Sequence, residues 1–246
     1  MTAAPPRTSA FSSFSLEPFP ELQPGEDLAG AISEVLARTG TELLDGDVVV
    51  VASKVVSIAE GRYVALADVT PSAEAVDLSA RTGKPAAVVQ LILDHSTEHF
   101  LATERGPIIA RHTLGHQLTS AGIDRAGTDG AWLLPEDPDA SARALRDALT
   151  VQTGRKIAVV IADSDGRADR RGATCISIGA AGLAPLRITE HGGKRQEETF
   201  TDMIAAAAGV ILGQRGRGVP VAVLRGIGYT PSDAGVASIL HRAPAQ

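Results

Sequence analysis

The run Lys156-Ile157-Ala158-Val159-Val160-Ile161-Ala162 is short, branched and continuously apolar after its first residue, and the chain turns polar at once behind it with Asp163, Ser164, Asp165 and Gly166. An apolar run of that length, closed by turn residues, reads as a buried strand. Carboxylates at the mouth of a rigid strand suit Mg²⁺ or Mn²⁺, which prefer hard oxygen ligands. Taken alone, the same residues also read as an ordinary acidic strand-to-loop turn.

Two other segments share that layout of an apolar run followed by glycine and charge. They are Ala121-Gly122-Ile123-Asp124-Arg125 and Leu212-Gly213-Gln214-Arg215-Gly216-Arg217-Gly218. In the second, three glycines let backbone N–H groups approach a phosphate, while Arg215 and Arg217 add positive charge. Without the other two segments it would read as a solvated glycine-rich loop.

Composition excludes several classes. Lys and Arg number 23 against 29 Asp and Glu, a formal net charge of −6, which argues against a general nucleic-acid binder. No apolar stretch reaches the ~18 residues of a membrane span. Residues 1–16 lack a continuous apolar signal core and are expected to form a flexible tail ahead of one domain over 17–246. The single cysteine, Cys175, excludes an internal disulfide framework and fits a reducing cytoplasm. Its alternating surroundings favour a buried, inert thiol.

The pattern is α+β without repeats. Helices are expected over 27–37, 72–81, 85–95, 140–154 and 201–212, with Asp139 as the cap of the fourth. Strands are expected at 48–52, 107–110, 157–162, 174–179 and 219–224. The order is no regular βαβ alternation, so a Rossmann fold is not indicated, and no Walker A pattern is present. His112 and His116, and His95 and His99, stand four apart. On a helix such pairs would share a face and bind zinc, but neither includes a His-Glu-x-x-His motif, and a structural or substrate-contact role is favoured. His191, Lys194 and Arg195 read as a solvated loop.

An ordered set of segments over roughly residues 18–229 resembles the coenzyme F420-0:γ-glutamyl ligase family. It comprises Pro18 to Leu28, Asp45 to Ser57 with Ala59 to Arg62, Ala121 to Arg125, Leu133 to Ser141, Asp163-Ser164 with Gly166-Arg167, Ile178 to Gly182, and Gly218 to Gly226. The resemblance implies two closely associated subdomains in an intertwined homodimer. It also implies a GTP-dependent ligase that uses two Mg²⁺ or Mn²⁺ ions, with K⁺ as a further ion. GTP would phosphorylate a substrate carboxylate, and an amino-acid amine would displace phosphate from the acyl phosphate. By motif position Asp124, Asp163, Ser164 and Gln214 would hold metal, the two aspartates being catalytic. Phe19, Pro20, Glu21 and Leu22 would line the guanine pocket, Ser53 and Lys54 would touch the nucleotide, and Leu212, Gly213, Gln214, Arg215, Gly216, Arg217, Gly218 and Val219 would wrap it.

The chain departs from the family pattern at several places. Ile58 stands where the family has Lys, Gly127 where an Asn is common, and Asp165 and Asp169 where aromatics are usual; the connection Thr189 to Arg195 is short. Added carboxylates would repel the phosphodiester and carboxylate of F420-0 and favour a cationic acceptor. Three readings follow. One is a GTP-dependent amide-forming ligase with an altered substrate pair; the second is a true F420-0:L-glutamate ligase; the third is a catalytically silent nucleotide-binding homologue. The expected partners are a small carboxylate, an amino acid and a second copy of the chain, in the cytoplasm, with neither nucleic acid nor membrane.

Overall fold

A computed structural model describes residues 10–213 and 217–241. In chain order the elements are β1 (Ser12–Ser15), α1 (Leu28–Thr39), β2 (Val48–Ala52), α2 (Ser53–Ala59), β3 (Tyr63–Ala65), α3 (Ala73–Thr82) and α4 (Ala86–Asp94). Next come β4 (Ser96–Leu101), β5 (Ile108–His112), β6 (Gln117–Thr119), β7 (Asp124–Ala126), β8 (Gly130–Trp132) and α5 (Pro138–Thr153). Last are β9 (Ala158–Gly166), β10 (Ala173–Ala181), β11 (Leu186–His191), β12 (Lys194–Thr199), α6 (Phe200–Leu212) and β13 (Val221–Arg225).

The apolar runs meet in one sheet of order β1-β13-β2-β9-β10. β2 and β9 pair in parallel, Val48 opposite Ala158 through Ala52 opposite Ala162, and the other pairs are antiparallel. Val48, Val49, Val50 and Val51 are fully buried because both faces of the sheet are covered. Val49, Val51, Val159 and Ile161 pack with Ile32, Val35 and Leu149 of α1 and α5, while Val48, Val50, Ala158 and Val160 pack with Ile204, Ala205 and Ala208 of α6. Burying each such branched side chain is worth ~1.5–3 kcal/mol, so the layer order follows from the sequence of these strands.

A third cluster joins α3 and α4 to the sheets β3-β8-β7 and β4-β5-β6, through Leu78, Val89, Ile92, Ile108, Ala110, Ile123 and Ala131. β11 and β12 form a separate two-stranded hairpin turning through Gly192 and Gly193, both at positive φ. This hairpin carries His191, Lys194 and Arg195, all exposed.

Four local expectations change. Ser12–Ser15, read as tail, form the edge strand beside β13, with Ser12 opposite Arg225. β9 does not end at Ala162; it runs through the acidic residues to Gly166, paired with β10 as far as Ala173. The fourth helix starts earlier, capped by Asp137, whose carboxylate accepts the Ala140 N–H at 2.9 Å with Pro138 in the first turn. Asp139 lies inside it. His112 and His116 flank a hairpin turn, where the His112 N–H donates to the His116 carbonyl at 2.8 Å, and His95 and His99 lie at a helix end and in β4. Neither pair shares a helix face.

Candidate active site

A cleft of about 1110 Å³ opens where the main sheet meets the third cluster. That volume is at the upper end of small-molecule sites and leaves room for more than one substrate. Asp163 in β9 reaches it from the sheet, and Asp124 from the first position of β7. The delivery of Asp124 is built into the backbone. Ser120, Ala121 and Gly122 all lie in the left-handed region, with φ of 55°, 52° and 67°. Each non-glycine residue held there costs ~1–3 kcal/mol. Gly122 has a second reason to lack a side chain, since a Cβ would come within 2.8 Å of Leu134.

Asp163 feels both its burial and the neighbouring Asp124. Burial raises the pKa of Asp163 from 3.8 to about 7, the Ser53 hydrogen bond opposes that rise, and the negative charge of Asp124 adds to it. Ser53 Oγ donates to Asp163 Oδ1 at 2.7 Å. Two converging carboxylates, one held reluctant to ionise, favour a positive charge between them. Ser164, also in the cleft, offers a hydroxyl oxygen. These are hard donors of the kind Mg²⁺ and Mn²⁺ select. Among the described residues no three His, Cys, Asp or Glu come together as a metal cluster, so a full shell needs hydroxyl, amide, water or substrate oxygens.

The expected nucleotide residues gather on the same cleft. Phe19, Pro20, Glu21 and Leu22 line one stretch, and Ser53 and Lys54 of α2 another. Leu212, Gly213, Gly218 and Val219 border it at the end of α6. Arg217 is exposed and does not line it; its side chain folds over Gly213, where a Cβ would meet Arg217 Cδ at 2.2 Å. Gln214, Arg215 and Gly216 lie outside the described residues.

Both carboxylates expected to alter the acceptor pocket point elsewhere. Asp165 is buried, and its Oδ1 accepts the Thr119 N–H at 2.8 Å, clipping β9 to β6. Asp169 is exposed and paired with Arg170 at 2.8 Å, the guanidinium hydrogen bond lowering its pKa. Cys175 is buried opposite Ser164, and burial pushes its thiol pKa up. His112 is buried away from the cleft and stacks on His95 with ring centroids 5.8 Å apart. Burial first, then His95, His116 and Arg62, push its pKa down to about 4, so the imidazole is neutral at physiological pH.

Sequence reasoning passed over several lining residues, among them Lys84, Val88, Thr119 and Trp132. Lys84 had a readable signal, a cation fixed between Gly83 and Pro85. Trp132, the only tryptophan in the sequence, stands in a three-residue strand that leaves no periodic signal.

Comparison with known proteins identifies the family. The model of the F420-0:Gamma-glutamyl ligase family matches residues 18–226. The chain is 38% identical over 241 residues to the coenzyme F420:L-glutamate ligase of Methanothermobacter thermautotrophicus, spanning 94% of this chain and 95% of that protein. It is 38% identical over 223 residues to the protein of the same name from Archaeoglobus fulgidus, covering 87% of each. With that of Methanosarcina acetivorans it shares 35% over 229 residues, 89% of this chain and 87% of the relative.

Proposed function

The chain belongs to the F420-0:γ-glutamyl ligase family, and from that premise we propose that it joins L-glutamate to F420-0 at the expense of GTP. It is a C–N bond-forming ligase of the coenzyme F420 biosynthetic family. The observation that carries this reading is the meeting of Asp124 and Asp163 in a cleft large enough for a nucleotide and a second sizeable substrate. The altered substrate pair loses its main support, because Asp165 and Asp169 do not present charge to that cleft.

The chemistry follows from the poor leaving group of a carboxylate. An oxygen of the acid substrate attacks the γ-phosphorus of GTP, and GDP leaves. The glutamate amine then attacks the acyl carbon, and inorganic phosphate departs. Divalent cations, when bound, neutralise the charge of the transferred phosphoryl group. Asp124, Asp163 and Ser164 would hold them, with Gln214 and K⁺ as further family-based assignments. Ser53 keeps Asp163 oriented and favours its ionised form. Lys54 supplies positive charge from the cleft wall, and the rest of the protein's work is positioning. A homodimer in the cytoplasm completes this reading. Among the described residues no helix is long and apolar enough to cross a membrane.

Phosphate release from GTP, measured with F420-0, L-glutamate and Mn²⁺, tests the reading. Release that requires both substrates and yields glutamylated F420-0 supports it. Release stimulated only by another carboxylate restores the altered-substrate reading. No release with any acid identifies a silent homologue.

A further inference from the structure

Trp132 stands directly opposite Asp124 in the β7–β8 pair and directly opposite Tyr63 in the β3–β8 pair. Residues paired across antiparallel strands project to the same side, with Cα atoms ~4.5–5.5 Å apart. The indole is therefore a neighbour of a carboxylate assigned to the reaction, and both line the cleft. Tyr63 packs against it edge to face, with centroids 5.2 Å apart and planes at 67°. Gly130 makes that possible, since a Cβ there would strike the Tyr63 ring at 2.2 Å. A large aromatic side chain held in place at a cleft wall offers a flat apolar surface with little entropy left to lose.

The surroundings extend that surface. Val88 of α4 lines the same cleft and adds apolar surface. Lys84 adds a cation from the turn between α3 and α4. Its backbone is fastened at both ends: the Ser79 hydroxyl donates to its carbonyl at 2.6 Å, and its N–H donates to Thr82 Oγ1 at 3.4 Å. Gly83, at φ 70°, ends α3 immediately before it. A planar apolar wall in a cleft that a lysine also lines matches a ligand with a flat ring and an anionic group attached.

The cleft contains two candidates for such a ligand, and topology separates them. The residues assigned to the nucleotide come from the main-sheet side, at α2, the end of α6 and the segment after β1. Trp132, Val88 and Lys84 come from the other side, beyond Asp124. Resting on the ligase reading above, we propose that Trp132, with Lys84, forms the docking platform for the ring-bearing acid substrate. The deazaflavin ring of F420-0 would pack on the indole, and its phosphodiester would pair with Lys84.

Two measurements on the full chain test this. In steady-state turnover, Trp132→Ala raises KM for F420-0 about tenfold or more and leaves KM for GTP within about twofold, while Trp132→Phe restores most of the affinity. Lys84→Met raises the same KM, and Lys84→Arg recovers it. A rise in KM for GTP alone would overturn the proposal by moving the platform to the nucleotide, and no change in either KM would also overturn it. The second readout needs no turnover. Since Trp132 is the only tryptophan, its emission reports directly on this wall, and F420-0 added with GDP and Mg²⁺ quenches it saturably. If the wild-type protein fails to glutamylate F420-0, the reaction assignment fails. Quenching then decides the platform by itself: saturable quenching supports it and none overturns it. Unchanged far-UV circular dichroism shows that a variant has folded.

Discussion

Ser53 Oγ donates a 2.7 Å hydrogen bond to Asp163 Oδ1, tying the first residue of α2 to a carboxylate near the end of β9. The bond favours the ionised form of a group whose pKa burial raises to about 7. Hydrogen bonds to charged groups contribute ~1.5–3 kcal/mol, or roughly one to two pKa units. Ser53→Ala should therefore move the acid limb of the pH–rate profile upward by about one unit, and Ser53→Thr should largely restore it. A profile unmoved by Ser53→Ala would separate this hydrogen bond from the reaction.

Asp163→Asn removes the charge and keeps the shape, so the fold should persist. A neutral amide binds hard cations far less well, and phosphate release from GTP should fall ~10²-fold or more. Wild-type-like release that still requires Mg²⁺ or Mn²⁺ would remove Asp163 from the metal assignment.

The same carboxylate gives a pH dependence of stability with a definite sign. Its folded pKa is raised from 3.8 to about 7, so the folded state keeps a proton that the unfolded chain releases. The associated stabilisation is present below about pH 4 and is lost as pH rises through about 7. Measured in EDTA, the melting temperature of the wild type should fall relative to that of Asp163→Asn between about pH 5 and pH 8. Added Mn²⁺ should restore more stability at the higher pH, where the carboxylate is ionised. Parallel pH curves for the two proteins would contradict the shift.

The apolar strands were legible because residues buried on both faces leave a continuous signature, as Val48 to Val51 and Ile157 to Ala162 do. The polar half of β9 was not. Asp165 continues the strand because its carboxylate finds the Thr119 N–H, a partner 46 positions away that no local pattern reveals. The same distance effect bears on the acceptor argument, which placed Asp165 and Asp169 in the cleft because they stand where the family motif has aromatics; Asp165 turns to Thr119 and Asp169 to Arg170. His112 and His116 have helical spacing, yet Gly115 at φ 97° turns the chain back as a hairpin. Trp132 gains its place through pairing with Asp124, eight positions earlier, and with Tyr63, on strands too short to announce themselves.

Asp139 shows how much one buried carboxylate can organise. It accepts N–H groups from Ala180 at 2.8 Å, Val236 at 2.8 Å and Ala237 at 2.9 Å, joining α5 to β10 and to the 3₁₀ turn at Val236–Ile239. Replacing it by Ala leaves three donors without their acceptor, each worth ~1–3 kcal/mol when buried and unpaired. Urea unfolding should show a loss of about 3 kcal/mol or more, with Asp139→Asn retaining part of it. A loss below about 1 kcal/mol would mean that water replaces the carboxylate at little cost.

The β11–β12 hairpin bears on oligomeric state. Among the described residues its strands pair only with each other, nearly all its residues are exposed, and Ile188 is 51% exposed. An isolated two-stranded hairpin is marginal in water, so a partner surface would account for its persistence as a regular element. A second copy of the chain is the occupant expected for this family, and a two-fold contact would bring two such hairpins to related positions. Sedimentation at micromolar concentration should give a mass near twice 25.4 kDa. Ile188→Lys should shift the protein toward monomer, since an unpaired charge in an apolar contact is strongly unfavourable. A wild-type protein that sediments as a monomer and is fully active would overturn the dimer. An unchanged dimer in Ile188→Lys would place its interface away from this hairpin.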